Sequence, residues 1–178
     1  MKKTFRLLLL ELLLVFILVA CDGGGIISFE NRLYNSANNG YIYYRAGQRV
    51  NNIPAGTVVS QVKLYMDKLG NPTGTGSCIV RKVSDGSMVG IVGTVDVSTL
   101  PASPADPTWI LFNTNAVKIP SKGDYRIVFE WDTSGGDSSN YPRVRYNNTD
   151  AISGVFTQYS SGGGWLDISD SDTSIKLN

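Results

Sequence analysis

Beyond residue 25, no stretch of this chain repeats its apolar residues every three or four positions, so it offers nothing from which a helical bundle could be built. The period that does recur is two. In Val58–Asp67, Val58, Val62, Leu64 and Met66 share one face, while Gln61, Lys63, Tyr65 and Asp67 share the other. In Asp124–Asp132, Tyr125, Ile127, Phe129 and Trp131 alternate with Arg126, Val128 and Glu130. Weaker runs of the same kind cover 41–45, 78–83, 88–97, 108–113, 143–146, 154–159 and 173–177. Residues 26–29 can supply a first strand, and 31–40 reads as loop. Turn residues punctuate these runs: Gly70-Asn71-Pro72-Thr73-Gly74 after the first strong strand, and Ser84-Asp85-Gly86-Ser87 as a tight hairpin. The three prolines between Leu100 and Pro107 predict a stiff irregular connection. About nine strands in one domain predict an all-β fold, an antiparallel two-sheet sandwich of jelly-roll type. A parallel α/β fold is excluded, because no crossover helices exist to cover a parallel sheet.

The N-terminus carries a different signal. A cationic start, Met1-Lys2-Lys3-Thr4-Phe5-Arg6, precedes an apolar run from Leu7 to Ala20 that only Glu11 interrupts. That is the layout of an export signal. The run falls short of the roughly 20 apolar residues a spanning helix needs, and its carboxylate makes permanent spanning worse. Leu18-Val19-Ala20-Cys21, placed directly after the apolar run, resembles the lipobox of prokaryotic lipoproteins. The resemblance implies cleavage before Cys21, acylation of its thiol and attachment to a membrane, with Gly23-Gly24-Gly25 as a short flexible tether. Residues 1–20 are then the signal peptide, 21–40 the lipidated cysteine, tether and N-terminal segment, and 41–178 the sandwich domain. The expected location is the cell surface or the periplasmic face of a membrane.

Loss of Lys2, Lys3, Arg6 and Glu11 with the signal turns 16 cationic and 15 anionic residues into 13 and 14. A near-neutral domain has no cationic surplus for phosphates, so no nucleic-acid partner is expected. With Cys21 taken by lipid, Cys78 is a lone strand thiol, half-buried and inert; a Cys21–Cys78 disulfide is the rival reading. The chain contains no histidine. Ser-His-Asp and Cys-His catalysis and His-ligated zinc are thereby excluded. Glu30 and Glu130 are the sole glutamates after the signal, and no carboxylate pair stands out for glycoside hydrolysis. Gly162-Gly163-Gly164 lacks the Lys-Ser/Thr of a phosphate loop. The expectation is a non-enzyme.

Four segments together carry a resemblance: VSQVKLYMDKLGNPTGT, IVGTVDVSTLP, GDYRIVFEW with SGGDSSNYPRVRYNN, and GGGWLDISDSDTSIKL. Over about residues 40–178 they resemble a β-sandwich domain of exported prokaryotic proteins known for interchangeable surface anchors (choice-of-anchor proteins). That domain is similar in build to jelly-roll carbohydrate-binding modules. The resemblance implies a module attached to the cell by whichever anchor is at hand.

Sugar recognition pairs aromatic faces with fixed donors and carboxylates. The segment from Asp132 to Asn148 offers both, which singles out Tyr141, Arg143, Arg145 and Tyr146, with Tyr159 and Trp165 next. Trp131 and Tyr146 also fit a core position, Trp165 a lid over the end of the sandwich, and Arg143 and Arg145 cross-strand pairing with aspartates. A structural calcium is the one cofactor considered, with Asp132, Asp137, Asp170 and Asp172 as loop ligands; the spacing lacks the glycine and glutamate of an EF-hand. Carbohydrate at the cell surface is the leading ligand. The alternative is a structural or adhesive subunit whose residues 26–45 add a strand to a neighbour's sheet.

Overall fold

A computed structural model describes residues 29–30, 36–37, 44–103, 105–132, 136–147, 154–160, 164–173 and 175–177. The signal, Cys21, the glycine tether and residues 31–35 and 38–43 lie outside the described residues. Strand is nearly the only regular structure among the described residues, apart from one 3-10 turn at Val97–Thr99, and the strands form antiparallel sheets packed together.

Six strands form one sheet: β3 (Arg45–Ile53), β6 (Thr75–Lys82), β7 (Met88–Asp96), β10 (Gly123–Trp131), β12 (Val155–Ser160) and β13 (Gly164–Ile168). Their order is β13-β12-β3-β10-β6-β7, so β3 and β10 are central. The second sheet is built on β5 (Val62–Leu69). Along one edge of β5 runs β8 (Thr108–Phe112); β11 (Tyr141–Asn147) and β15 (Ile175–Leu177) share its other edge end to end. Short pieces complete that sheet: β1 (Phe29–Glu30) on β15, and β2 (Ser36–Ala37) and β14 (Asp172–Thr173) on β11. A two-stranded ribbon, β4 (Val58–Val59) with β9 (Val117–Lys118), pairs with neither sheet, although Val59 and Val117 enter the core.

The alternation in the sequence explains this layering. On β10, Tyr125, Ile127, Phe129 and Trp131 are all buried between the sheets. Each such burial contributes about 1.5–3 kcal/mol, an upper estimate because the unfolded chain already hides some surface. Val62, Leu64 and Met66 of β5 face them from the second sheet, with Val144, Ile175 and Leu177. Cys78 lies wholly inside this core rather than half-buried, and burial pushes its thiol well above the ordinary range. The expected strand over 58–67 is two, because the chain leaves strand geometry at Ser60-Gln61 between β4 and β5. Likewise Ser36–Ala37, read as loop, pairs with Arg145 and Tyr146. The β6–β7 hairpin turns where expected, with Gly86 in the left-handed region (φ 71°).

β3 escapes the simple pattern. Its inward residues are Ala46, Gln48 and Val50, so an amide occupies the core. Gln48 is satisfied by the second sheet: its Nε2 donates to Asp172 Oδ1 at 2.7 Å, and its Oε1 accepts from Thr173 N at 2.9 Å. A buried amide with both ends bonded ties the sheets together at one register. Its outward residues are Arg45, Gly47 and Arg49. A Cβ built on Gly47 falls 2.1 Å from Ile127 O and 2.7 Å from Val128 Cα, both backbone atoms of the neighbouring β10. Gly47→Ala therefore forces the two central strands apart. The expected cost is about 1–3 kcal/mol, the usual range for overpacking a tight site, read as a lowered urea midpoint with an unchanged m-value.

Candidate functional site

The outward face of the six-stranded sheet concentrates charge and aromatic rings in cross-strand rows. Register places Trp165, Tyr159, Arg45, Glu130 and Ser77 side by side across β13, β12, β3, β10 and β6. A second row runs Asp167, Thr157, Gly47, Val128 and Ile79. In the third, Arg49, Arg126 and Arg81 are direct neighbours on three adjacent strands. Like charges placed opposite one another destabilise a sheet, so the carboxylates beside them decide whether the face holds.

Two ion clusters do so. Asp167 accepts from Arg126 Nη2 (3.0 and 3.2 Å), Arg49 Nη1 (2.8 Å) and the Thr157 hydroxyl (2.7 Å). Arg49 Nη2 also donates to Asp124 Oδ2 at 2.9 Å, and Asp124 Oδ1 accepts from the Asn52 backbone at 2.9 Å. Asn52 adopts a positive φ of 57° there, at the irregularity where β3 and β10 slip register. In the other cluster, Glu130 accepts from Arg81 through Nε and through Nη2 (3.0 Å), and lies 3.2 Å from Arg45 Nε. Thr157 and Val128 are fully buried and Ile79 nearly so, although they sit on the outward face. The apolar stems of long arginines are suited to covering such a floor.

Arg126 is the most enclosed of these cations, with 7% of its side chain exposed. To reach Thr157 and Asp167 it crosses β3, where the outward position between Arg45 and Arg49 is Gly47. Trp165 closes over it, with the guanidinium carbon 4.7 Å from the ring centre. Trp165 is therefore a lid on the sheet face and not on the sandwich end; from β13 its indole nitrogen reaches the β6–β7 turn beside Gly86. Tyr159 meets Trp165 edge-on at 5.2 Å and Tyr44 at 5.7 Å. The Arg45 guanidinium sits between two of these rings, 5.1 Å from Tyr44 and 4.7 Å from Tyr159. The three rings are half-buried.

The expected site residues divide between opposite sides of the molecule. Tyr159 and Trp165 belong to the face just described. Arg143 and Arg145 lie on the outward face of the second sheet, where both hold Asp67: Arg143 donates from Nε (2.9 Å) and Nη2 (2.6 Å), and Arg145 from Nη2. The carboxylate of Asp67 is completely buried. This is the cross-strand pairing that the sequence left open, at the register Arg143 opposite Asp67. Tyr146 stacks on Phe156 at 4.2 Å and packs against the core, as does Tyr141; Trp131 is inside it. These three therefore do not join Tyr159 and Trp165. Among the described residues, no three acidic or cysteine side chains converge as a metal site. Asp137 instead binds Ser139 N and the Asn140 amide within its own turn, Asp170 sits at a positive-φ turn, and Asp172 bonds Gln48.

The residues the sequence reading missed are Tyr44, Arg45, Arg49, Arg81, Arg126, Glu130 and Asp167. A signal for some of them existed. Arg45 and Arg49 are four apart and so share a strand face, Arg81 directly follows the apolar Cys78-Ile79-Val80, and Arg126 stands inside Tyr125–Phe129.

Electrostatics accord with this geometry. Burial pushes the Asp167 carboxyl up, but Thr157, Arg49 and Arg126 together bring it below the ordinary carboxylate range. The Asn52 backbone and Arg49 lower Asp124 likewise. A carboxyl depressed in the folded state stabilises fully above its unfolded value, near 3.8, and loses that contribution as pH falls through the folded value. Stability should hold level to about pH 5 and decline below about pH 4. Asp167→Asn leaves Arg126 without its charge partner. Breaking a fully buried pair costs about 3–5 kcal/mol; with Asp167 a quarter exposed, about 1–3 kcal/mol is expected at pH 7. The variant should also lose stability less steeply in acid, measured by urea unfolding at pH 7 and pH 3.5.

No protein-family model and no curated protein matches this chain, so what the face does is read from its own chemistry.

Proposed function

We propose that this chain is a non-catalytic binding module, exported and held to a membrane by lipid on Cys21, that takes carbohydrate on the outward face of its six-stranded sheet. The observation that carries the reading is the row of half-buried Tyr44, Tyr159 and Trp165 beside guanidinium and carboxylate groups fixed in place by one another. Rings of this kind stack on the C–H faces of sugars, and preorganised polar groups orient the hydroxyls. Binding is favoured over hydrolysis because Asp124 and Asp167 are held below the usual carboxylate range. A general acid needs the opposite shift. The path of the chain supports a jelly-roll reading: β3, β6 and β10 belong to one sheet, and β5, β8 and β11 to the other.

One observation favours a second reading, that of a structural or adhesive surface subunit. Residues 29–30 and 36–37 already pair along strands of the second sheet. A segment that pairs this way within its own chain can pair the same way with a neighbour's.

A glycan array tests the first reading. Binding to at least one glycan is expected, lost in Trp165→Ala and Tyr159→Ala while circular dichroism stays that of the native fold. Silence of the folded protein across a broad array would remove carbohydrate and leave the surface-subunit reading. The anchor has its own test: mass spectrometry of the membrane fraction should find an N-terminal peptide that begins at Cys21 and carries acyl chains. An unmodified Cys21 would refute it.

A further inference from the structure

Of the arginines on the face, Arg45 differs from the rest in what it is bonded to. Arg49, Arg81 and Arg126 are engaged: Arg49 donates to Asn51, Asp124 and Asp167, Arg81 to Glu130 and the Gly86 carbonyl, and Arg126 to Thr157 and Asp167. Arg45 has the Glu130 carboxylate 3.2 Å from its Nε, yet that buried Nε makes no hydrogen bond. Nor does Nη1 or Nη2 meet an acceptor among the described residues. A guanidinium carries five N–H donors in a rigid planar fork matched to a carboxylate or sulfate. Here the fork is gripped between Tyr44 and Tyr159, a quarter of the side chain reaches solvent, and its charge partner is shared with Arg81.

The net charge points the same way. Arg45, Arg49, Arg81 and Arg126 face Glu130, Asp124 and Asp167, which leaves one cation in excess on a domain that is otherwise near neutral. Past Asp124 the excess continues into a cleft lined by Lys82, Lys122, Ser84 and Ser121. A row of arginines on adjacent strands is destabilising unless carboxylates offset it, and here three carboxylates serve four guanidinium groups. Local rules broken at a cost are a mark of function.

From these features we infer that the ligand is an acidic glycan, and that Arg45 is the residue that selects it, by presenting its guanidinium fork to a sugar carboxylate or sulfate while Tyr159 and Trp165 stack on the ring. This rests on the carbohydrate reading above and narrows it. A neutral sugar would leave the donors of Arg45 to water or a hydroxyl, whereas an anionic substituent completes the fork.

The test follows tryptophan fluorescence of the full chain in detergent, titrated with alginate oligosaccharides (carboxylate), dextran sulfate (sulfate ester) and the neutral dextran and mannan. Binding of alginate, dextran sulfate or both is expected, without dextran or mannan, and weakening as salt rises. Arg45→Ala and Arg45→Lys should each weaken it about tenfold to a hundredfold, the worth of charge-assisted hydrogen bonds. Arg45→Lys keeps charge and stem, so a folded variant that still fails isolates the fork. Lys63→Ala, on the outward face of the other sheet, should leave affinity unchanged. Equal binding of dextran or mannan, or wild-type affinity in Arg45→Lys, overturns acidic selection while the carbohydrate reading stands. So does an equal loss in Lys63→Ala, which would mark diffuse charge attraction. If the folded protein binds none of these four, acidic selection falls, and the carbohydrate reading falls with it only if the broad glycan array is silent as well.

Discussion

A single buried cation, Arg126, sets the terms for the outward half of the six-stranded sheet. A guanidinium removed from water without partners costs several kcal/mol, and this one is enclosed almost completely. It is tolerated because four positions on three other strands serve it. Gly47 on β3 lets the stem pass, Thr157 on β12 accepts from Nε, and on β13 Asp167 supplies the charge while Trp165 covers the plane. None of these choices makes sense on its own strand. Glycine weakens a strand interior, a buried threonine gains nothing from the core, and a tryptophan on an edge strand has no apolar layer to enter. Together they hold β12 and β13 against the sheet by side chains as well as by backbone.

The same strand that lets Arg126 cross also fixes the two sheets to each other. Gln48, beside Gly47, points the other way and bonds Asp172 and Thr173 across the core. Because a one-residue slip in a strand exchanges its two faces, such a slip in β3 would bury Arg45 and Arg49 and expose Ala46, Gln48 and Val50. Polar groups on both faces thus specify register more sharply than apolar alternation would, since each has one set of partners and a misplaced charge costs more than a misplaced methyl.

This accounts for what could be read in the sequence. β5 and β10 announce themselves because their buried faces are uniformly apolar and their outward faces are not. β3 does not: RAGQRVNNI has glutamine inside and glycine outside, so its hydrophobic period is diluted although its geometry is regular. β13 is hidden for a related reason, five residues after a glycine tract with Leu166 half exposed. The choice of aromatic and arginine residues near 141–146 rested on their closeness in sequence, but closeness along a strand sends alternate residues to opposite faces. Tyr146 therefore enters the core while Arg143 and Arg145 turn outward to Asp67. Tyr159 and Trp165 were legible because both hold outward positions, directly opposite one another in register. Their arginine neighbours come from residues 45, 49, 81 and 126, and no local window contains more than two of them.

Residue type alone does not separate a structural arginine from a functional one; the accounting of donors does. Arg126 and Arg45 lie on adjacent strands, each has an aromatic ring over it and each has a carboxylate in reach. Arg126 hydrogen-bonds through Nε and Nη2 and is hidden from water, so an added ligand could reach it only by displacing Trp165. Arg45 has its charge balanced in part, its plane fixed by two tyrosines and, among the described residues, its hydrogen-bonding edge uncommitted. Holding a charged group rigid while leaving its donors open has little value for folding, because water would satisfy a mobile side chain at lower entropic cost. It has value for recognition, where donors fixed in advance spare the ligand the cost of ordering them.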